Sequence, residues 1–192
     1  MNHAMITGLF VILTENIVIT HLLGIPSPAD DPSQKPKNLL PQAFFVLLFS
    51  AAGSWLMFFL SPLLRFSGGS LFHPLALILL TSLLAGIVLI PAAFLPDSLK
   101  NTVRVSVLEA GISSALLGIL FLGIDASPTA SAAAYKGLMQ GIGYFVAACL
   151  LQAAVPFVCD EKMPARFRGW RGLYLYAAVL SMSALCLTNQ TA

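Results

Sequence analysis

Val107-Leu-Glu-Ala-Gly-Ile-Ser-Ser-Ala-Leu-Leu-Gly-Ile119 sets a carboxylate, a glycine and two hydroxyls inside an apolar stretch. About half a chain earlier, Leu13-Thr-Glu-Asn-Ile-Val-Ile-Thr-His-Leu-Leu-Gly-Ile25 repeats the arrangement, with Glu15 and Glu109 at equivalent places before Leu-Leu-Gly-Ile. The pairing predicts an internal duplication in a membrane protein, one repeat over about 1–96 and the other over about 97–192. Where two related halves each bring a polar segment to similar depth, their meeting place is the first candidate for a functional site.

Composition agrees with a chain dissolved in lipid. Of 192 residues, 58% are hydrophobic and only 9% charged, where soluble domains carry about a quarter charged. Six apolar runs stand out: Ala4–Ile25, Leu39–Leu60, Leu71–Leu95, Val103–Ile124, Ala132–Val158 and Gly172–Thr188. Most are long enough to cross a bilayer, which takes roughly 20 residues of helix. They are continuous and rich in Leu, Ala and Gly instead of short and alternating, which favours helices over barrel strands. The expected fold is all-α, a single integral membrane domain of six transmembrane helices. The first run lacks a basic leader and a cleavage site, and is expected to be retained.

Basic residues set the expected orientation. Lys35, Lys37, Lys100, Arg104, Lys162, Arg166, Arg168 and Arg171 follow the first, third and fifth runs, and only Arg65 and Lys136 lie on the other side. The asymmetry places those three connections in the cytoplasm of a bacterial-type inner membrane and both termini outside. The formal charge of +2 reflects that asymmetry and suggests no nucleic-acid partner. Pro26 to Lys37 packs four prolines into twelve residues and must end the first span. Arg166-Phe-Arg-Gly-Trp-Arg171 reads as an interfacial anchor before the last run.

Few residues carry chemistry. Glu15 and Glu109 lie deep in their runs, where a charge costs a few kcal/mol unless paired, hydrated or protonated, so both are expected to face protein or water, as ion or proton contacts or as interhelical hydrogen bonds. Asn16 and His21 share the first run with Glu15 but do not fall on one helical face. Ser113 and Ser114 are expected to return hydrogen bonds to the preceding turn. Gly137-Leu-Met-Gln-Gly141 is a small-xxx-small pattern that suits either packing within the chain or a subunit interface. Cys149, Cys159 and Cys186 have no metal-binding spacing. No phosphate loop, nucleophile elbow or zinc-protease helix is present, so a self-contained enzyme is not expected.

Several segments taken in order resemble the Rnf/Nqr family of small membrane subunits. They are Glu15-Asn16 with Leu22-Leu-Gly-Ile25, Ser113-Ser-Ala-Leu-Leu-Gly118, Tyr135-Lys-Gly137 with Gly141 and Gly143, and Met163-Pro-Ala-Arg-Phe-Arg-Gly169. The likeness is to the A subunit of the Rnf electron transport complex and the E subunit of the sodium-pumping NADH:quinone reductase. It implies two inverted three-helix repeats, with helices one and four broken or half-spanning. It also implies a homologous membrane partner subunit, other subunits of an ion-translocating electron transport complex, and a 2Fe-2S cluster held by two cysteines from each of two facing subunits.

Here the chain departs from the family. The first cysteine position is occupied by Pro26 and the second by Ser114, with Ser113 replacing the preceding Asn. Proline offers no ligand atom, and a serine hydroxyl is a poor substitute for thiolate on iron. The expectation is therefore a divergent Rnf/Nqr-type subunit that holds no cofactor or metal alone and serves as scaffold or ion pathway, with Glu15, Asn16 and Glu109 as the contacts to test. A free-standing homo-oligomeric transporter or channel, and a structural membrane protein, are the other readings.

Overall fold

The computed structural model describes residues 39–66, 72–94, 96–123, 129–160, 163, 164 and 166–189. The first apolar run, with Glu15, Asn16 and Pro26, lies outside the described residues, and so does the expected meeting of the two matching segments. The remainder is helical: α1 (Leu40–Phe66), α2 (Phe72–Ala92), α3 (Asp97–Gly111), α4 (Ser114–Gly123), α5 (Ala130–Val158) and α6 (Trp170–Asn189). No strand occurs among the described residues. Runs two, three, five and six each form one helix, and run four forms two.

Helix ends follow local chemistry. Pro62, Pro91 and Pro156 sit near the C-termini of α1, α2 and α5, where each removes one N–H bond to the carbonyl four residues back and the helix ends soon after. The Thr129 hydroxyl caps α5 by accepting from the Ala132 N–H at 3.3 Å. Pro96 precedes α3, and the polar Asp97-Ser-Leu-Lys-Asn-Thr102 segment is helical ahead of the apolar run. Before α6, Gly169 adopts φ 76°, a left-handed conformation that side chains disfavour. Its N–H donates to the Val158 carbonyl at 3.3 Å, tying the start of α6 to the end of α5.

The bundle is organised around α1 and α5, which run antiparallel. The Leu39 N–H donates to Gln152 Oε1 at 3.0 Å, and further along α1 Ser50 lies against Gly141 and Ser54 against Gly137. At Gly137 a Cβ atom would stand 2.5 Å from the Ser50 carbonyl oxygen, and at Gly141 it would stand 3.0 Å from Leu47 Cα. The small-xxx-small pattern of α5 therefore serves packing within the chain, against a matching Ser50-xxx-Ser54 pattern on α1. The Ser50 hydroxyl is itself satisfied, donating to the Leu47 carbonyl at 2.8 Å. Around this seam Val46, Val107, Leu116, Ile119, Leu120 and Leu173 are fully buried.

The two halves of run four are bent by 44° at the break between α3 and α4, so α4 continues in roughly the direction of α3.

Outside this core the surface is apolar. Leu75, Ile78, Leu79, Leu83, Ile87 and Ile90 leave one side of α2 exposed, Ile90 to 67%. Soluble monomers rarely expose contiguous apolar patches above a few hundred Å². Among the described residues three helices are long and apolar enough to cross a membrane, or up to four if the α3–α4 pair counts as one span.

Candidate functional site

The break between α3 and α4 sets the buried Ser113 at an interruption of the helical ladder. Gly111 brings α3 close to α2, where a Cβ atom would stand 3.1 Å from that of Ala85. The two serines that follow compete for backbone hydrogen bonds and favour a helix start over helix continuation. The Ser113 N–H donates to the Ala110 carbonyl at 3.2 Å, and the helical ladder resumes where Leu117 N–H donates to the Ser113 carbonyl at 3.2 Å. A discontinuity of this kind leaves carbonyls at the end of one half-helix and N–H groups at the start of the next without ladder partners.

Ser113 is buried, and its Oγ makes no hydrogen bond of full geometry, contrary to the expected return to the preceding turn. The Tyr144 hydroxyl of α5 is its polar neighbour. Elsewhere the expected return bond does form: Ser61, Thr81, Ser82 and Ser183 each donate to the carbonyl three residues back. Ser113 differs in lying between the two helices, immediately before α4. One turn before Tyr144 on α5, Gln140 Oε1 is buried with no hydrogen-bond partner among the described residues. Ser114 opens α4 and is exposed.

Glu109 does not face the bundle interior. That side of α3 is taken by Ser106, Val107, Ala110 and Gly111, all buried, and the carboxylate projects from the exposed side together with Val105, Leu108 and Ile112. The structure thus brings Ser113 to Tyr144 and does not bring Glu109 to them. Tyr144 and Gln140 were missed in the sequence because single polar residues in an apolar run carry no spacing signal. Only the break opposite them gives them a role.

Neutral hydroxyl and amide groups suit water, a proton relay or a weakly held monovalent cation. They do not suit an iron-sulfur cluster, which needs thiolates. Among the described residues, no group of three His, Cys, Asp or Glu side chains is placed to hold a metal ion. The fold and site define a helical bundle with an apolar exterior and a polar break in one traverse. The chain matches no protein-family model and no curated protein.

Proposed function

We propose that this chain is a multi-pass protein of a bacterial-type inner membrane, and that the broken fourth span carries protons or small cations through it. The observation that carries this reading is the break at Ile112–Ser113, where the buried Ser113 hydroxyl neighbours that of Tyr144 inside the bundle. Non-helical backbone at membrane depth is tolerated only where protein or a water-filled cavity covers it, and transporters use such half-helix ends to bind ions. The reading extends to a divergent Rnf/Nqr-type subunit that acts as ion pathway or scaffold in an electron transport assembly without its own cluster ligands. Two features support that extension. An inverted duplication makes runs two and five antiparallel, as α1 and α5 are, and the family's helix four is broken.

A free-standing transporter is the second reading, favoured by the outward-facing Glu109, which invites a partner at the bundle surface. Mass spectrometry of what co-purifies in mild detergent distinguishes the two. Flavin or iron-sulfur subunits in the eluate support the assembly, and this chain alone in a stable homo-oligomer supports the transporter. For the pathway itself, the purified chain in liposomes is expected to pass protons or sodium ions, with flux reduced in Ser113→Ala and Tyr144→Phe. Unchanged flux in both would place the pathway elsewhere. Glu15→Gln with Glu109→Gln tests the carboxylates: full activity with intact assembly removes them from any ion-binding role.

A further inference from the structure

We infer that the exposed face of α3 is the seam of a parallel two-fold dimer with a second copy of this chain, closed by reciprocal Arg104–Glu109 ion pairs. The argument begins with spacing. Asn101, Val105, Leu108 and Ile112 form a stripe on the side of α3 turned away from α1 and α2. Their steps of four, three and four residues are those of positions d, a, d and a in a heptad. Val105 is 47% exposed, Leu108 41% and Ile112 79%, so the stripe is apolar surface that no described helix covers.

The residue types agree with the spacing. β-branched Val105 and Ile112 fall at a, and Leu108 falls at d, the combination that favours two parallel strands. On this register Arg104 occupies g and Glu109 occupies the following e, on opposite flanks of the stripe. Within one helix the two side chains point away from each other. Across a parallel pair, g of one helix meets the next e of its partner, which is a step of five residues, the separation of Arg104 and Glu109. Two-fold symmetry then forms the pair twice. Both residues are exposed, and neither has an ion-pair partner among the described residues.

The same arrangement answers why a carboxylate stands on an apolar outer surface near the middle of the α3–α4 traverse. Intramembrane charges are costly in lipid and are found paired or turned toward protein. The stripe also ends where the structure requires. After Ile112 the 44° bend turns the chain, and Ala115, Leu116, Ile119 and Leu120 of α4 are buried in the bundle. The parallel sense rests on the membrane reading above, because copies inserted with one topology meet about an axis along the membrane normal. The heptad stripe itself does not depend on it.

The test is cysteine cross-linking in native membranes, in the full chain with Cys149, Cys159 and Cys186 changed to Ser. Leu108→Cys is expected to give a disulfide-linked dimer on mild oxidation, and Ile87→Cys, equally exposed on α2 but off the seam, is not. In the Leu108→Cys background, Arg104→Glu or Glu109→Arg expressed alone places like charges at both flanking pairs and is expected to lower dimer yield at least roughly tenfold. Co-expression of the two single variants under different tags restores both pairs and is expected to yield mixed dimers almost exclusively. Absence of the Leu108→Cys dimer, equal cross-linking at Ile87→Cys, capture of a different protein, or failure of the co-expressed variants to form mixed dimers would each overturn the proposal. Alkaline extraction of the same membranes reports insertion separately, so loss of the dimer is distinguishable from failure of the membrane reading.

Discussion

The α1–α5 crossing makes the sharpest quantitative prediction, because two glycines on one protein meet very different surroundings. At Gly137, the Cβ of an alanine would lie 2.5 Å from the Ser50 carbonyl oxygen and would also overlap the Ser54 side chain. Ordinary carbon–oxygen contact begins near 3.4 Å, so α1 and α5 must separate by about 0.9 Å locally, and backbone cannot rotate aside as a side chain does. Forcing one extra carbon into a packed interior costs about 1–3 kcal/mol. Alanine recovers at most about 1 kcal/mol of helix propensity, and less inside a long helix already held by its neighbours. Gly137→Ala should therefore destabilise the bundle by about 1–2 kcal/mol, a shift of several degrees at this chain length.

Gly86 on α2 is the internal control. A Cβ there meets nothing within 4 Å, so Gly86→Ala should be neutral or slightly stabilising. Thermal unfolding of both variants in the same detergent, followed by tryptophan fluorescence and circular dichroism, decides the matter. If Gly137→Ala is as stable as Gly86→Ala, the close crossing is not what holds α1 to α5, and the antiparallel register built on it falls.

Further variants probe other parts of the bundle. Gly141→Ala would press its Cβ on the Ser50 hydroxyl, a side-chain atom that can turn aside, and would meet backbone only at Leu47 Cα, 3.0 Å away; it should cost less than Gly137→Ala, and the double variant less than the sum because both relax by the same separation, as read in the same melts. Gln152→Leu leaves the Leu39 N–H without its acceptor and should cost about 1–3 kcal/mol, with faster hydrogen exchange confined to the start of α1. Gly169→Ala forces a β-carbon into a left-handed turn and should cost about 1–2 kcal/mol, detectable as proteolytic nicking between α5 and α6 before global unfolding.

Much of the architecture was legible because apolar periodicity and run length report on helices directly. Runs two, three, five and six became α1, α2, α5 and α6 with ends shifted by a few residues, since prolines tolerated in a last turn and polar first turns both extend helices beyond the apolar stretch. The fourth run was legible as unusual through Gly111, Ser113 and Ser114, but hydropathy alone cannot distinguish a bent traverse from a straight one. Side-chain direction was less legible. Glu109, expected to face protein or water, lies on the exposed side of α3, because Ser106, Val107, Ala110 and Gly111 take the side turned to the other described helices. The role of Gly137 and Gly141 could not be read from α5 by itself, because the partner is Ser50 and Ser54, far away in the chain and individually unremarkable on α1.

The two polar features of the fourth run have a common physical origin. A helix that crosses an apolar bundle without interruption can satisfy every backbone group internally and needs no polar side chains. Once Gly111 and the serine pair interrupt it, the run bends, α4 enters the core, and α3 is left with a face that no described helix covers. The break thus turns Ser113 inward toward Tyr144 and leaves Glu109 outward on the uncovered stripe. A repair of the break, as in Ser113→Leu with Ser114→Leu, should straighten the run and change both sides together. It should expel the polar interior and carry Leu116 and Ile119 off the core. Loss of ion flux and loss of Leu108→Cys cross-linking in that variant, in protein that still resists alkaline extraction, would tie both to the bend. Loss of flux with cross-linking intact would show that α3 presents its seam whether or not the span is broken.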